Sequence, residues 1–285
     1  MIYKILLFRN LKDNVPKNIG LYSVGILLLV VSGYHFEFSI TLIGLIAFIL
    51  SYSSVYILND LYDIAEDEKR PEKHTRKPLV QRSVEKSDAV RIGIVLLFIG
   101  LSLSFFVDLK FFGIMCFLII INALYSIPIL SFGSNRFFLL ESHQDTNHPV
   151  SFKYTIAGLP MVLVMQILKI LLPWTITTNL VRFPFLFALG FSLIYLVLFR
   201  GYKKNLTVGR SVISEPLLFG MAAIFFLLSM FVHPEPMIQA SIFLYIVAGI
   251  ILFRNSRLID KKVVSMSPAY IALGIIILFC LISII

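Results

Sequence analysis

The sequence predicts an all-α, polytopic membrane protein with nine transmembrane helices, and three observations carry that expectation. Of 285 residues, 58% are hydrophobic and only 14% charged, with a mean hydropathy of +0.90. A soluble domain carries about a quarter charged residues. The apolar residues fall in long runs, and a bilayer-spanning helix needs roughly 20 of them in succession. No run alternates with period two over about ten residues, the signature that a membrane β-barrel leaves.

In chain order, the spans are expected at about 19–36, 39–58, 90–107, 110–130, 154–175, 183–200, 214–232, 237–253 and 268–285. Ahead of them, "MIYKILLFRNLKDN" is short and amphipathic, and reads either as a helix lying in the interface plane or as a frayed tail. Lys4 and Arg9 before an apolar run imitate a signal peptide. No small-residue cleavage pattern follows and a second span comes almost at once, so the first span is read as retained. Pro160, Pro173, Pro184 and Pro216 fall within or at the ends of spans, where neighbouring helices can satisfy the freed carbonyls. Cys116 and Cys280 lie in apolar runs, which excludes a disulfide framework and a C-x-x-C metal site. With no internal repeat and no linker, residues 1–285 are expected to form a single transmembrane domain. Its cytoplasmic loops fall at about 59–89, 131–153, 201–213 and 254–267.

All but three of the 25 Lys and Arg residues fall on one side of this arrangement. Lys110 and Arg182 lie on the other side, and Lys169 lies inside a span. The positive-inside rule then places the N-terminus and the long polar loops in the cytoplasm and the C-terminus outside. The same asymmetry accounts for the net charge of +9, which meets anionic membrane lipids and anionic substrates at one surface. Nucleic acid is not an expected partner, because the basic residues sit in short loops between spans.

The second span ends in "NDLYDIAEDEKRPEKHTRKP", residues 59–78. Asp60, Asp63 and Asp67 are spaced i, i+3, i+7, which places them within about 60° of one another on a helix, with Asn59 at the edge of that arc. The helix is expected to continue until Pro71 discourages it. Three carboxylates on one stripe repel one another, and a divalent cation removes the conflict. Mg2+ takes carboxylate and water oxygens and completes its shell with substrate phosphates. Arg70 returns to the acidic face, and Lys73, Arg76, Lys77 and Arg82 follow in a loop able to fold over an anion. Carboxylates for a metal and Lys/Arg for phosphate oxygens are the equipment for handling a diphosphate. The competing reading is a solvated mixed-charge loop that only sets topology.

At these residues the chain resembles the UbiA superfamily of intramembrane prenyltransferases. Asn59, Asp60, Asp63 and Asp67 fill its N-D-x-x-D-x-x-x-D motif, and Lys73, Arg76 and Pro78 match its downstream basic residues and proline. "ALYSIPIL", residues 123–130, resembles the family's Tyr-Ser segment at the end of the fourth helix and brings Tyr125 into the candidate diphosphate site. The resemblance implies a helical bundle around a cavity open to lipid. It also implies Mg2+ held by Asp60, Asp63 and Asp67, and a prenyl diphosphate or polyprenyl phosphate at the cytoplasmic mouth. Asn59 would orient the first carboxylate or bind the diphosphate, and Lys73, Arg76 and Lys77 would neutralise it.

The chain departs from the family after the sixth helix. Where members carry a second aspartate motif, "LFRGYKKNLTVGRSV" has no acidic residue. One branch of the superfamily, whose members transfer a phosphoribosyl group to a polyprenyl phosphate, is similar in having basic residues there. Lys203, Lys204 and Arg210 are accordingly candidates for a second phosphate, or simple topology determinants. Lys169, in "MQILKILLPW", is either functional, as intramembrane ionisable residues commonly are, or close enough to an interface to snorkel. His143 and His148, with Glu141 and Asp145, form a polar loop or a metal site of unfamiliar spacing. Asn122 and Tyr125 are packing or site residues.

The expected function is Mg2+-dependent transfer of an isoprenoid chain from a prenyl diphosphate to a lipophilic acceptor. The alternatives are phosphoribosyl transfer to a polyprenyl phosphate, terpene cyclisation without an acceptor, and a non-catalytic membrane carrier or assembly protein.

Overall fold

The computed structural model describes residues 9–34, 37–68, 77–127, 158–176, 183–200, 206–208, 211–213 and 215–232. In order, the helices are α1 (Arg9–Val31), α2 (Phe38–Tyr62), the single turn α3 (Ile64–Asp67), α4 (Lys86–Val107), α5 (Leu109–Ser126), α6 (Gly158–Leu171), α7 (Phe185–Arg200) and α8 (Glu215–Val232). A 3-10 turn, Leu172–Ile176, prolongs α6, and Pro173 within it cannot continue an α-helical ladder. The first seven expected spans coincide with α1, α2, α4, α5, α6, α7 and α8. The spans expected at 237–253 and 268–285 lie outside the described residues.

Among the described residues, α2, α4 and α5 are long and apolar enough to cross a membrane, and shorter apolar stretches occupy Val15–Val30, Pro160–Ile176 and Gly220–Ser229. Exposed Phe98, Phe105, Phe106, Phe117 and Ile120 on α4 and α5 give those helices an apolar outer face suited to lipid.

Two local features differ from expectation. The first helix begins at Arg9 and runs through Pro16, so residues 9–14 continue into the first span instead of forming a separate segment. The region expected as a loop at 201–213 contains an antiparallel pair, β1 (Leu206–Val208) and β2 (Ser211–Ile213), with Leu206 opposite Ile213 and Thr207 opposite Val212. Thr207, Val208, Val212 and Ile213 are β-branched, which favours extended backbone. Two residues separate the strands, the spacing of the tightest hairpins.

The turns are specified locally. Helix α1 stops at Gly33, whose φ of 75° suits a residue without Cβ. The Gly33 N–H donates to Val30 O (3.0 Å) and the Tyr34 N–H to Leu29 O (3.1 Å), a Schellman end. Only Asp108 separates α4 from α5. Its carboxylate caps α5 by accepting from the Lys110 N–H (2.6 Å) and the Phe111 N–H (3.4 Å).

Helix α2 is central and packs on α1, α4 and α5. Along its inner face, Phe48, Tyr52 and Tyr56 recur every four residues, with successive ring centroids 5.6 and 5.2 Å apart. Tyr22 of α1 stacks on Phe48, and Phe111 and Met115 of α5 with Met165 of α6 complete this core. The other face of α2 meets α4 through small residues. A methyl group added at Gly100 would lie 2.9 Å from Ala47 O and closer still to Ser51, so glycine sets the helix separation there. A second cluster, Ile57, Ile64, Leu79, Val84, Ala89 and Ile92, binds the 77–85 turn to the ends of α2 and α4.

Candidate active site

The acidic stripe sits where α2 gives way to α3. Asp63 closes α2 and its N–H donates to Asn59 O (3.0 Å), while the Asp67 N–H donates to Asp63 O (2.8 Å). Helical spacing is thus kept from Asn59 to Asp67 although the helix is interrupted at Asp63. Asp60 and Asp67 are buried at 3% exposure each, and Asp63 is half-buried.

Two buried carboxylates need a cation, and the turn at 77–85 supplies one. Lys77 Nζ donates to Asp60 Oδ1 and lies 3.5 Å from Asp67 Oδ2. Pro78 O accepts the Ser83 N–H (3.0 Å) and the Ser83 hydroxyl (3.1 Å), while Leu79 and Val84 are buried beneath. These contacts fix the turn from which Lys77 reaches the stripe. Lys77 therefore lies on the carboxylates themselves, not apart from them on the far side of an anion. Arg82 is exposed with φ 58° and points to no described partner of the stripe.

The donor set suits Mg2+, which is commonly held by one or two carboxylates plus substrate phosphates. Asp60 and Asp67 already share one cationic group. Among the described residues no three carboxylate, imidazole or thiol groups surround a single point, so phosphate oxygens would have to complete the shell. Arg70, Lys73, Arg76, Lys203, Lys204 and Arg210 lie outside the described residues, as do Glu141, His143, Asp145 and His148.

Inward from the stripe runs a polar network that the sequence did not disclose. Asn59 Nδ2 donates to Asn122 Oδ1 (3.3 Å), and Asn122 Nδ2 donates to the Tyr52 hydroxyl (2.6 Å) and contacts Met165 Sδ (3.2 Å). Asn122 is thus a partner of the motif and not a packing residue. Lys169 is buried at 7% exposure and does not snorkel. Its ammonium donates to Asn18 Oδ1 (3.0 Å) and lies 4.0 Å from the centre of the Tyr52 ring. Asn18 in turn donates to the Tyr56 hydroxyl (3.0 Å). Tyr125 is half-buried against the same core. Four helices contribute to this network: α1, α2, α5 and α6. The signals available in the sequence were a lone lysine inside an apolar run and Asn122 beside the Tyr-Ser segment.

An apolar helical bundle with paired carboxylates at the end of one span defines an integral membrane protein with an acidic polar mouth. Comparison with known proteins shows what the chain is similar to. The sequence model of the UbiA prenyltransferase family matches residues 20–142, which include the acidic stripe and Asn122. No curated protein sequence matches the chain. A solved UbiA homologue from Archaeoglobus fulgidus superposes with a TM-score of 0.65 at 19% identity, covering 99% of this chain and 100% of that one. The same organism's homologue bound to GPP and Mg2+ gives 0.63 at 16% identity, covering 97% and 99%. A structure from work on digeranylgeranylglyceryl phosphate synthase in membranes gives 0.55 at 18% identity, covering 97% and 96%. These likenesses are of fold. In sequence the likeness to the UbiA prenyltransferase family is confined to residues 20–142; over the rest of the chain it is one of fold.

Proposed function

We infer that this protein is a Mg2+-dependent transferase that moves an isoprenoid chain from a prenyl diphosphate to a lipophilic acceptor within the membrane. The observation that carries the reading is the buried Asp60–Asp67 pair sharing the Lys77 ammonium. Burying two carboxylates is expensive unless a cation meets them, and this pair sits in the family's motif. The fold it shares with a homologue bound to GPP and Mg2+ supports the same assignment.

On this reading Asp60 and Asp67, with Asp63 beside them, would hold Mg2+ together with diphosphate oxygens, and the ion would supply Lewis-acid charge to the diphosphate. Lys77 leaves the carboxylates and, with Lys73 and Arg76, meets the phosphate oxygens. As the donor's C–O bond breaks, its electron pair leaves with the diphosphate, and fixed ammonium and guanidinium groups stabilise that growing charge. Asn59, held by Asn122, orients the first carboxylate. The apolar interior surrounds the isoprenoid and keeps water from the cationic carbon until the acceptor attacks it and loses a proton.

The test is diphosphate release by full-length protein given prenyl diphosphates and candidate acceptors, with Mg2+ or with chelator. Release that depends on Mg2+ and vanishes in Asp63→Ala, with the melting temperature retained, is the expected result. Wild-type release by Asp63→Ala would reduce the stripe to a topology signal.

A further inference from the structure

We propose that the outer face at the start of α4 binds an anionic phospholipid. Lys86 and Arg91, with Arg82 beside them, hold its phosphate, and its acyl chain runs along Val90, Ile94 and Phe98. The site is independent of the transferase reading.

The first turns of α4 have two unlike sides. Val84, Ala89 and Ile92 are buried with Ile57, Ile64 and Leu79, at the end of the bundle that carries the acidic stripe. On the other side, Val90, Ile94 and Phe98 recur every four residues at 40%, 60% and 72% exposure. Positions four apart drift by about 40° around a helix, so the three form one apolar stripe facing lipid. Lys86 lies about 40° to one side of Val90, and Arg91 about 20° beyond Phe98. The two cations therefore flank the head of the stripe, about 7.5 Å apart along the axis. Both are exposed, and long basic side chains rest their stems on apolar surface while their charges reach the headgroup layer.

Charge decides which lipid. Arg82, Lys86 and Arg91 are exposed, and no described carboxylate forms an ion pair with any of them. The acids nearby are Glu85 and Asp88. Glu85 is exposed and accepts from the Ser87 hydroxyl (3.3 Å). Asp88 is half-buried and lies about 60° beyond Arg91, off the stripe. Three exposed cations thus stand against one exposed carboxylate. A zwitterionic headgroup would bring its own ammonium to this surplus of positive charge, whereas an anionic one brings phosphate alone. Positive-inside topology calls for cations at this end, but it does not require them to flank a lipid-facing stripe.

The test is native mass spectrometry of full-length protein titrated with phosphatidylglycerol or phosphatidylcholine of identical acyl chains. The first phosphatidylglycerol is expected to bind at least about fivefold more tightly than the first phosphatidylcholine. Lys86→Gln and Arg91→Gln should each weaken phosphatidylglycerol about fivefold, the factor that one basic residue carries at an anionic surface. Melting temperature and phosphatidylcholine binding should be retained in both, and Lys86→Arg should keep the preference. Lys110→Gln removes an exposed cation beyond the far end of α4 and should change nothing. Phe98→Ala should weaken both lipids alike. The inference is overturned if the two lipids bind equally, or if the preference survives Lys86→Gln and Arg91→Gln. It is also overturned if Lys110→Gln lowers the preference as much, or if Phe98→Ala affects neither lipid. Displacement of phosphatidylglycerol by excess glycerol 3-phosphate would likewise overturn it, since a soluble phosphate would then suffice.

Discussion

Asn122 is the residue through which the motif and the interior communicate. It accepts from Asn59 and donates to Tyr52, so a leucine there would release the Asn59 amide and leave the buried Tyr52 hydroxyl short of a donor. A lost neutral hydrogen bond is worth about 0.5–1.5 kcal/mol. Asn122→Leu is therefore expected to lower turnover by about three- to tenfold, with donor KM little changed and the fold intact. Kinetics at saturating donor, with a melting curve alongside, check this; an unaltered turnover number would make Asn122 a packing residue. Asn59, Asp60, Asp63 and Asp67 were legible in the sequence because their relation is local and follows helical periodicity. Asn18 and Lys169, 151 residues apart, were not, since no periodicity relates residues on different helices. Tyr52 and Tyr56 were hidden differently. In an apolar run a tyrosine reads as membrane aromatic content, and only packing shows which ring faces inward.

At the scale of elements, hydropathy located the first seven expected helices because bilayer thickness fixes the length of the apolar run. It did not place the interruption of α2 at Asp63 or the β1–β2 pair, which depend on backbone hydrogen bonds that hydropathy does not sense. Nor does hydropathy set helix separation. The α2–α4 contact is set by Gly100 against Ala47 and Ser51, with buried Ser54 and Ser104 nearby. Gly100→Leu would drive a side chain into the α2 backbone, where only helix displacement relieves the overlap. Overpacking of this kind destabilises by about 1–3 kcal/mol, and the displacement would carry the acidic stripe with it. We expect a lower melting temperature together with reduced activity, whereas Gly113→Leu, at a position with open space around it, should leave both near wild type. Equal behaviour of the two variants in thermal melts would refute the close-contact account.

For the molecule as a whole, the distribution of Lys and Arg is the strongest statement the sequence makes. On the positive-inside rule, the N-terminus and the 59–89 segment face the cytoplasm and Ile285 faces outside. Reporter fusions or cysteine-accessibility labelling at residues 1, 82 and 285 should give inside, inside and outside. An external location for residue 82 would place the acidic stripe on the wrong side for a cytoplasmic diphosphate and would sink the proposed function with it. The family match and the fold likeness do not set this orientation, so the experiment is independent of both.

The ammonium of Lys77 has a further consequence. Because it is tethered, it competes with any incoming divalent ion at an effective concentration that dilution does not lower. Metal alone must evict it and leave it without an anion, whereas metal arriving with a diphosphate offers it a new one. On the proposed function, loading is expected to be cooperative, and linkage requires reciprocity: the factor by which donor tightens Mg2+ would equal the factor by which Mg2+ tightens donor. Lys77→Met removes the competitor, so Mg2+ alone should bind more tightly while the mutual enhancement shrinks. Calorimetric titration of each ligand in the presence and absence of the other measures both factors. Undiminished enhancement in Lys77→Met would mean that this side chain takes no part in the exchange. If the proposed exchange operates, the wild-type site would stay closed to stray cations until the substrate that needs one arrives.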